Sequence, residues 1–331
     1  MQGRKILIIQ TAFIGDAILA TALVSKIHTH EPEARIDFLC RKGNEGLLQS
    51  HPYIQKVWIW DKKQNKIKNL LRLIASIRRT KYDEVINLQR FFATGLLTCL
   101  SGAGNKVGFT QNPLSMFFNK HLRHDMKAGL HEVHRNGLLY QPDDINSYRP
   151  ALFPSSTDIS YVQQWIQTPY ITIAPASVWQ TKKLPTNKWI ELIQHIPPHV
   201  RIYLLGGMED VALCDEILHT VAGDNCINLA GKLSLLQSAA LMQKAAMNYV
   251  NDSAPLHLCS AMNAPTCAIF CSTVPSFGFG PLSDIQYIVE VAEQLTCRPC
   301  GKHGKKTCPL GHFNCGNKVT VEQLSKPILH L

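Results

Sequence analysis

At 331 residues, with 45% hydrophobic and 18% charged residues, the chain is expected to be a soluble globular protein of two domains, each large enough for its own core. No uninterrupted apolar run approaches the roughly 20 residues of a membrane span, and the first apolar stretch, residues 5–10, is too short for the core of a signal peptide, so a cytoplasmic protein is expected. The net charge of +10 lies wholly in residues 1–150, where 22 Lys and Arg stand against 12 Asp and Glu; residues 151–331 hold 12 of each.

Residues 5–10 read as a buried-type strand and 16–30 as the helix that follows, with Ile18, Leu19, Ala22, Leu23 and Ile27 at helical spacing. Strand-like runs recur at 35–40, 57–60, 83–88 and 106–109 with helical patterns between them, which predicts a parallel sheet with right-handed crossovers. From Lys62 to Lys81 eight Lys and Arg occur without an acid, interleaved with Leu70, Leu71, Leu73, Ile74 and Ile77. Such a basic amphipathic helix suits an anionic membrane surface or an acidic partner, and a solvated face over a core stripe gives the same pattern. Nucleic acid is not expected, because no reading-helix or RNA-binding signature accompanies the charge. In 114–134 the apolar Met116, Phe117 and Phe118 precede His121, Arg123, His124, His131 and His134, followed by Arg135. This pattern is open to two readings, a mobile substrate-facing loop or a packed helix with exposed histidines.

Residues 143–157, rich in Pro, Ser and Asp, are the expected linker, dividing the chain into domains 1–150 and 151–331. The alternation then restarts, with strands at 170–174, 201–205, 226–229, 247–250 and 266–270 and helices at 187–195, 209–222, 234–246 and 255–262. The expected fold class is α/β: two open Rossmann-like domains in tandem, their parallel sheets facing an interdomain cleft, with ligands at the carboxyl ends of the strands.

The loops at those strand ends carry the candidate chemistry. After the first strand comes Thr11-Ala-Phe-Ile-Gly15-Asp16, which lacks the G-x-G-x-x-G of a dehydrogenase-type dinucleotide cradle. Asp16 there can act as a general base or simply cap its helix. In the second half, Ala174-Pro-Ala-Ser177-Val-Trp-Gln-Thr181-Lys182-Lys183-Leu-Pro185 places a lysine charge suited to a diphosphate, with Ser177 and Thr181 as further candidates on the same loop. Gly206-Gly207-Met-Glu209 allows close backbone approach and offers Glu209 to ribose hydroxyls. Asn251-Asp252-Ser253-Ala254-Pro255-Leu-His257 opens a helix, whose unpaired N–H groups and dipole form a seat for phosphate; Asp252 or Ser253 as a plain N-cap is the alternative. Taken together these loops describe one nucleotide-diphosphate pocket.

Seven of the eleven cysteines (Cys40, Cys99, Cys214, Cys226, Cys259, Cys267 and Cys271) stand in apolar contexts and read as reduced core residues. Cys297, Cys300, Cys308 and Cys315, with His303 and His312 among them, have the density of a metal site but the spacing of no standard finger. Zinc, a thiol-rich loop and a disulfide-closed loop all remain open, and no metal is expected to be required.

The order of these pieces resembles glycosyltransferase family 9, the ADP-heptose:lipopolysaccharide heptosyltransferases, especially its heptosyltransferase II-like branch. The resemblance runs over nearly the whole chain, through Gly15-Asp16, Thr181-Lys182-Lys183-Leu-Pro185-x3-Trp189, Gly206-Gly207-Met-Glu209, Leu229-Ala-Gly231, Asp252-Ser-Ala-Pro-Leu-His257 and the tail Gly311-His312-x2-Cys315. It implies the GT-B architecture, with the donor bound mainly by the second domain and the acceptor by the first. It implies Asp16 as the base, Lys182 (with Lys183 as its competitor) at the donor phosphates, Glu209 at the ribose, and Asp252, Ser253 and His257 at the diphosphate and adjacent sugar. Where the family often has Asp-Thr-Gly, this chain has Asp252-Ser253-Ala254, and Ala254 resists positive φ. The expected activity is inverting, cofactor-independent transfer of heptose from ADP-heptose to an anionic, lipid A-linked acceptor at the cytoplasmic face of the inner membrane. A family member using another nucleotide sugar for a different surface glycan, or a non-catalytic nucleotide-sugar-binding protein, is the alternative.

Overall fold

The computed structural model describes residues 3–126, 129–144, 146, 148–166, 169–221 and 223–329, and divides into two units, Met1–Phe153 and Pro154–Leu331. In the first unit, Lys5–Ile9 (β1) is almost wholly apolar because it is paired on both edges and covered on both faces. With Arg35–Arg41 (β2), Ile54–Trp60 (β3), Glu84–Asn87 (β4), Asn105–Phe109 (β5) and Lys120–Leu122 (β6) it forms a fully parallel six-stranded sheet of order β3-β2-β1-β4-β5-β6.

Ile14–His30 (α1) returns the chain from β1 and is buried nearly all round, including Lys26 at 2% exposure. That ammonium is satisfied by the Asp144 carboxylate at 3.2 Å and by the carbonyls of Gln141 and Asp144, so the charge is not left bare. Lys66–Thr80 (α2) buries Leu70, Ile74 and Ile77 on the sheet and leaves its lysines and arginines outside. Leu71, which the apolar spacing assigned to the same stripe, is instead 56% exposed. Phe92–Leu100 (α3) and Glu132–Tyr140 (α4) complete the unit.

The second unit opens with Ser156–Val162 (α5) and repeats the plan with Tyr170–Ala174 (β7), Thr186–Gln194 (α6), Arg201–Leu204 (β8), Val211–Val221 (α7), Cys226–Asn228 (β9), Leu235–Lys244 (α8), Met247–Asn251 (β10), Ala254–Met262 (α9), Thr266–Phe270 (β11) and Gln286–Glu290 (β12). Its parallel sheet runs β12-β11-β10-β7-β8-β9, so counted from β7 it has the same order as the first. Local chemistry sets the boundaries: α8 starts where the Ser234 hydroxyl accepts from Gln237 N–H and the Gln237 side chain accepts from Ser234 N–H, and α9 stops at Asn263 in the left-handed conformation. The short helices Asn314–Asn317 (α10) and Val321–Ser325 (α11) are part of this core, where the Tyr249 hydroxyl donates to Leu324 O and Val319 and Leu324 are fully buried.

Three expectations change. Residues 143–157 are not linker throughout, since a capping box of Ser155 and Asp158 starts α5 at Ser156; Ile145 and Ser147 lie outside the described residues. The helix expected at 209–222 opens as a 3-10 turn, Met208–Asp210, before α7, and Ala222 lies outside the described residues. Residues 114–134 form neither a single loop nor a helix: a 3-10 turn at Ser115–Phe117 leads into β6, and Lys127 and Ala128 lie outside the described residues. Two of the histidines there are structural, His124 Nε2 standing 2.9 Å from the Glu132 carboxylate and His131 Nδ1 accepting from Val133 N–H to cap α4.

Candidate active site

In each sheet the strand order reverses beside the first strand, between β1 and β4 and between β7 and β10, and ligands of doubly wound sheets bind at the carboxyl ends there. In the second unit that point is held by Asn251, the last residue of β10, which is fully buried. Its Nδ2 donates to Pro175 O at 2.9 Å on the loop after β7, and its Oδ1 accepts from Leu184 N–H at 2.9 Å. One amide thereby ties both ends of the loop after β7 to the end of β10.

Next to it, Lys182 Nζ lies 2.6 Å from Asp252 Oδ2, with both side chains at least four-fifths buried. The Thr273 hydroxyl, beyond β11, donates to the same Asp252 oxygen at 2.6 Å. Neither Asp252 nor Ser253 caps α9: Asp252 is turned to Lys182, and the Ser253 hydroxyl donates weakly to Ala176 O and Asn251 O. The start of α9 thus receives no side-chain cap: Ala254 is the first helical residue, Pro255 has no N–H, and Leu256 N–H donates to Ser253 O, which leaves Ala254 N–H leading the helix. Ala254 is not among the non-glycine residues at positive φ, so alanine there carries no backbone strain.

The other candidates surround this pair unevenly. Ser177 is half-buried on the loop after β7, and the Lys183 carbonyl accepts from the Cys271 thiol. Thr181 is 2% exposed and its Oγ1 accepts from Lys305 N–H at 2.8 Å and from the Ser272 hydroxyl at 2.9 Å, so it ties the loop to the C-terminal tail. Gly206 is required by close approach, since a Cβ there would stand 2.6 Å from Asp210 Cβ, whereas at Gly207 it would meet only the movable carboxylate end of Glu209. Glu209 is exposed at the mouth of this turn. His257 is 6% exposed on α9, its ring edge-on to Phe279.

The cysteine-bearing tail packs directly on the lysine loop. Thr181 N–H donates to Lys305 O, Cys300 N–H donates to Ser272 O, and a Cβ at Gly304 would stand 3.0 Å from Lys182 Cγ. Cys297, Cys300, Cys308 and Cys315 are free thiols, and among the described residues no group of three or more His, Cys, Asp or Glu is arranged to hold a metal. Burial first, then the neighbouring thiols, pushes Cys315 up to about 11. Arg298 clamps the end of β11, donating to Phe270 O, Cys271 O and Thr273 O and pairing with Glu290. Sequence reading missed Asn251, Thr273 and Arg298 as site supports; an amide at a buried strand end is the one signal that was available.

In the first unit, Asp16 sits in the first turn of α1, half-buried, and its carboxylate accepts from Phe13 N–H at 3.2 Å. The loop before it is held from several strands: Asn44 Nδ2 donates to Ala12 O, the Gln10 side chain accepts from Ala12 N–H, and Lys62 Nζ donates to Thr11 O at 2.6 Å and Thr11 Oγ1 at 3.0 Å. Arg41 lies over the Phe13 ring. Burial, with Arg41 and Lys66 nearby, lowers the Lys62 ammonium to about 8. Lys62 was visible only as one of a basic run. Its placement sets a half-buried cation on the loop that leads to Asp16, a suitable setting for an anionic ligand.

The fold has the course of the solved Escherichia coli ADP-heptose lipopolysaccharide heptosyltransferase II, with a TM-score of 0.80 and 22% identity over 98% of this chain and 97% of that one. It also follows the family 9 glycosyltransferase from Veillonella parvula, with a TM-score of 0.86 and 19% identity over 99% and 96%. Two parallel sheets of matching order on this course define the GT-B class of glycosyltransferases. The model of glycosyltransferase family 9 (heptosyltransferase) matches residues 70–312, and the chain belongs to that family. Among characterised relatives it is similar to lipopolysaccharide heptosyltransferase 1 of Campylobacter coli, 25% identical over 88% of this chain and 91% of the relative.

Proposed function

We propose that the protein is an inverting heptosyltransferase that moves heptose from ADP-heptose to the inner core of a lipid A-linked acceptor, without a cofactor, at the cytoplasmic face of the inner membrane. The observation that carries this reading is the Lys182–Asp252 pair beside the uncapped start of α9, at the switch point of the second sheet. The second unit then binds the donor: Lys182 and the leading N–H of α9 face its diphosphate, Ser253, Ala254 and His257 lie next to them, and Glu209 takes ribose hydroxyls. The first unit binds the acceptor, and Lys62 with Arg41 offsets its negative charge.

In the transfer, Asp16 takes the proton of the acceptor hydroxyl as that oxygen bonds to the anomeric carbon from the face opposite the diphosphate. The bond from that carbon to the phosphate oxygen breaks, and ADP leaves with its new charge offset by Lys182 and the helix terminus. The relatives' names, lipopolysaccharide heptosyltransferase 1 and ADP-heptose lipopolysaccharide heptosyltransferase II, support this donor and acceptor. Incubating the purified chain with ADP-heptose and a lipid A-linked acceptor tests it: release of ADP with a heptose-sized mass gain on the acceptor is expected. Donor binding without ADP release would leave a sensor and overturn the reading.

A further inference from the structure

The helix α2 carries more apolar surface than its own core uses. Leu70, Ile74 and Ile77 face the sheet and are buried, yet Ile67 is 73% and Leu71 56% exposed, on the flank of that stripe. Spaced four apart, Ile67, Leu71 and Ala75 form a second apolar line on the open surface of the helix. Lys68, Arg72 and Arg79 form the adjacent line on the exposed face, and no acid occurs from Lys62 to Lys81. A solvated face has no use for two large aliphatic side chains between cations, whereas a bilayer interface takes both at once, the aliphatics below the headgroups and the cations among anionic ones.

We propose that α2 docks the first unit onto an anionic lipid surface, with Ile67 and Leu71 inserted at the headgroup boundary and Lys68, Arg72 and Arg79 contacting anionic headgroups. This rests on the membrane-side setting of the proposed function and names the element that makes the contact. Charge complementarity commits the face to lipid: the whole excess of ten positive charges lies in residues 1–150, and eight cations cluster around this helix. Each cation near such a surface strengthens binding about fivefold, and added salt erodes that part.

The test is co-sedimentation of the full chain with vesicles of phosphatidylcholine alone or with 30% phosphatidylglycerol (about one lipid in three, enough for a surface potential), at low and high salt. Binding to the anionic vesicles only, weakened by salt, is expected. The triple reversal Lys68→Glu, Arg72→Glu and Arg79→Glu should lower partitioning by about a hundredfold or more. The pair Ile67→Ser and Leu71→Ser should lower it about tenfold while the salt dependence persists. Both variants should keep the wild-type melting temperature and release ADP normally with a short soluble acceptor. If the wild type ignores anionic vesicles, or the Ser pair binds as well as wild type, the proposal falls. A concentration-dependent dimer that the Ser pair abolishes, without vesicle binding, would assign the face to a second copy and also overturn it. Vesicle binding with no turnover of ADP-heptose would leave the α2 proposal standing and remove the heptosyltransferase reading instead.

Discussion

Lys182 Nζ and Asp252 Oδ2 stand 2.6 Å apart, joining the loop after β7 to the loop after β10. The carboxylate holds the ammonium in place before any donor arrives, so the cation needs little rearrangement to meet a diphosphate. Lys182→Ala should therefore lower kcat/KM for the donor by about 10- to 100-fold, the equivalent of roughly 1.5–3 kcal/mol for a charge-assisted contact. Lys183→Ala should have a much smaller effect. Steady-state kinetics with donor varied would settle the register, and equal losses from both substitutions would refute it.

Asp16→Asn separates base from cap. Asparagine keeps an oxygen to accept from Phe13 N–H, so the start of α1 and the melting temperature should be nearly unchanged. Loss of a general base should slow transfer by about 10²–10⁴ while donor affinity, measured by calorimetry, stays near wild type. Normal turnover would reduce Asp16 to a helix cap.

Thr273→Val probes the support behind the ion pair. The hydroxyl that donates to Asp252 at 2.6 Å is lost with almost no change of shape. The unmade hydrogen bond should cost about 1 kcal/mol of stability and raise the donor KM several-fold, because Asp252 no longer fixes Lys182. An unaltered KM would show that Lys182 alone sets its own position.

His51 gives the first unit an acid sensitivity. It is 3% exposed, edge-on to Phe153 and Tyr53, and burial, with His28 nearby, lowers its pKa from 6.5 to about 4. Between those values the unfolded chain binds the proton that the folded chain refuses, so stability is full above pH 6.5 and falls as the pH drops toward 4. His51→Phe should flatten that limb of the melting temperature against pH. A limb of unchanged slope would assign the sensitivity to other groups.

The parallel sheets were legible in the sequence because strands paired on both edges need apolar side chains on both faces, as in β1, β7 and β11. Edge strand β12, half-exposed, gave no such run. Lys182 and Asp252 were legible because each lies in a short motif at a strand end. Thr273 and Lys62 were not, since their partners stand 21 and 51 residues away and only the sheet order brings them together. The exposed line on α2 escaped because spacing reports that residues share a face, and only the packed helix shows which face the core has taken.

The bonds between Thr181 and Lys305 join the loop beside Lys182 to a segment synthesised much later. At about 5–20 residues per second, a ribosome needs roughly 6–25 s to travel from one partner to the other, a span in which β8 to β12 are made but the loop beside Lys182 lacks its covering tail. The strands of the second unit are thus synthesised before the tail that covers this loop. A chain cut short of residue 305 would lack both of those bonds and leave the loop beside Lys182 without that cover.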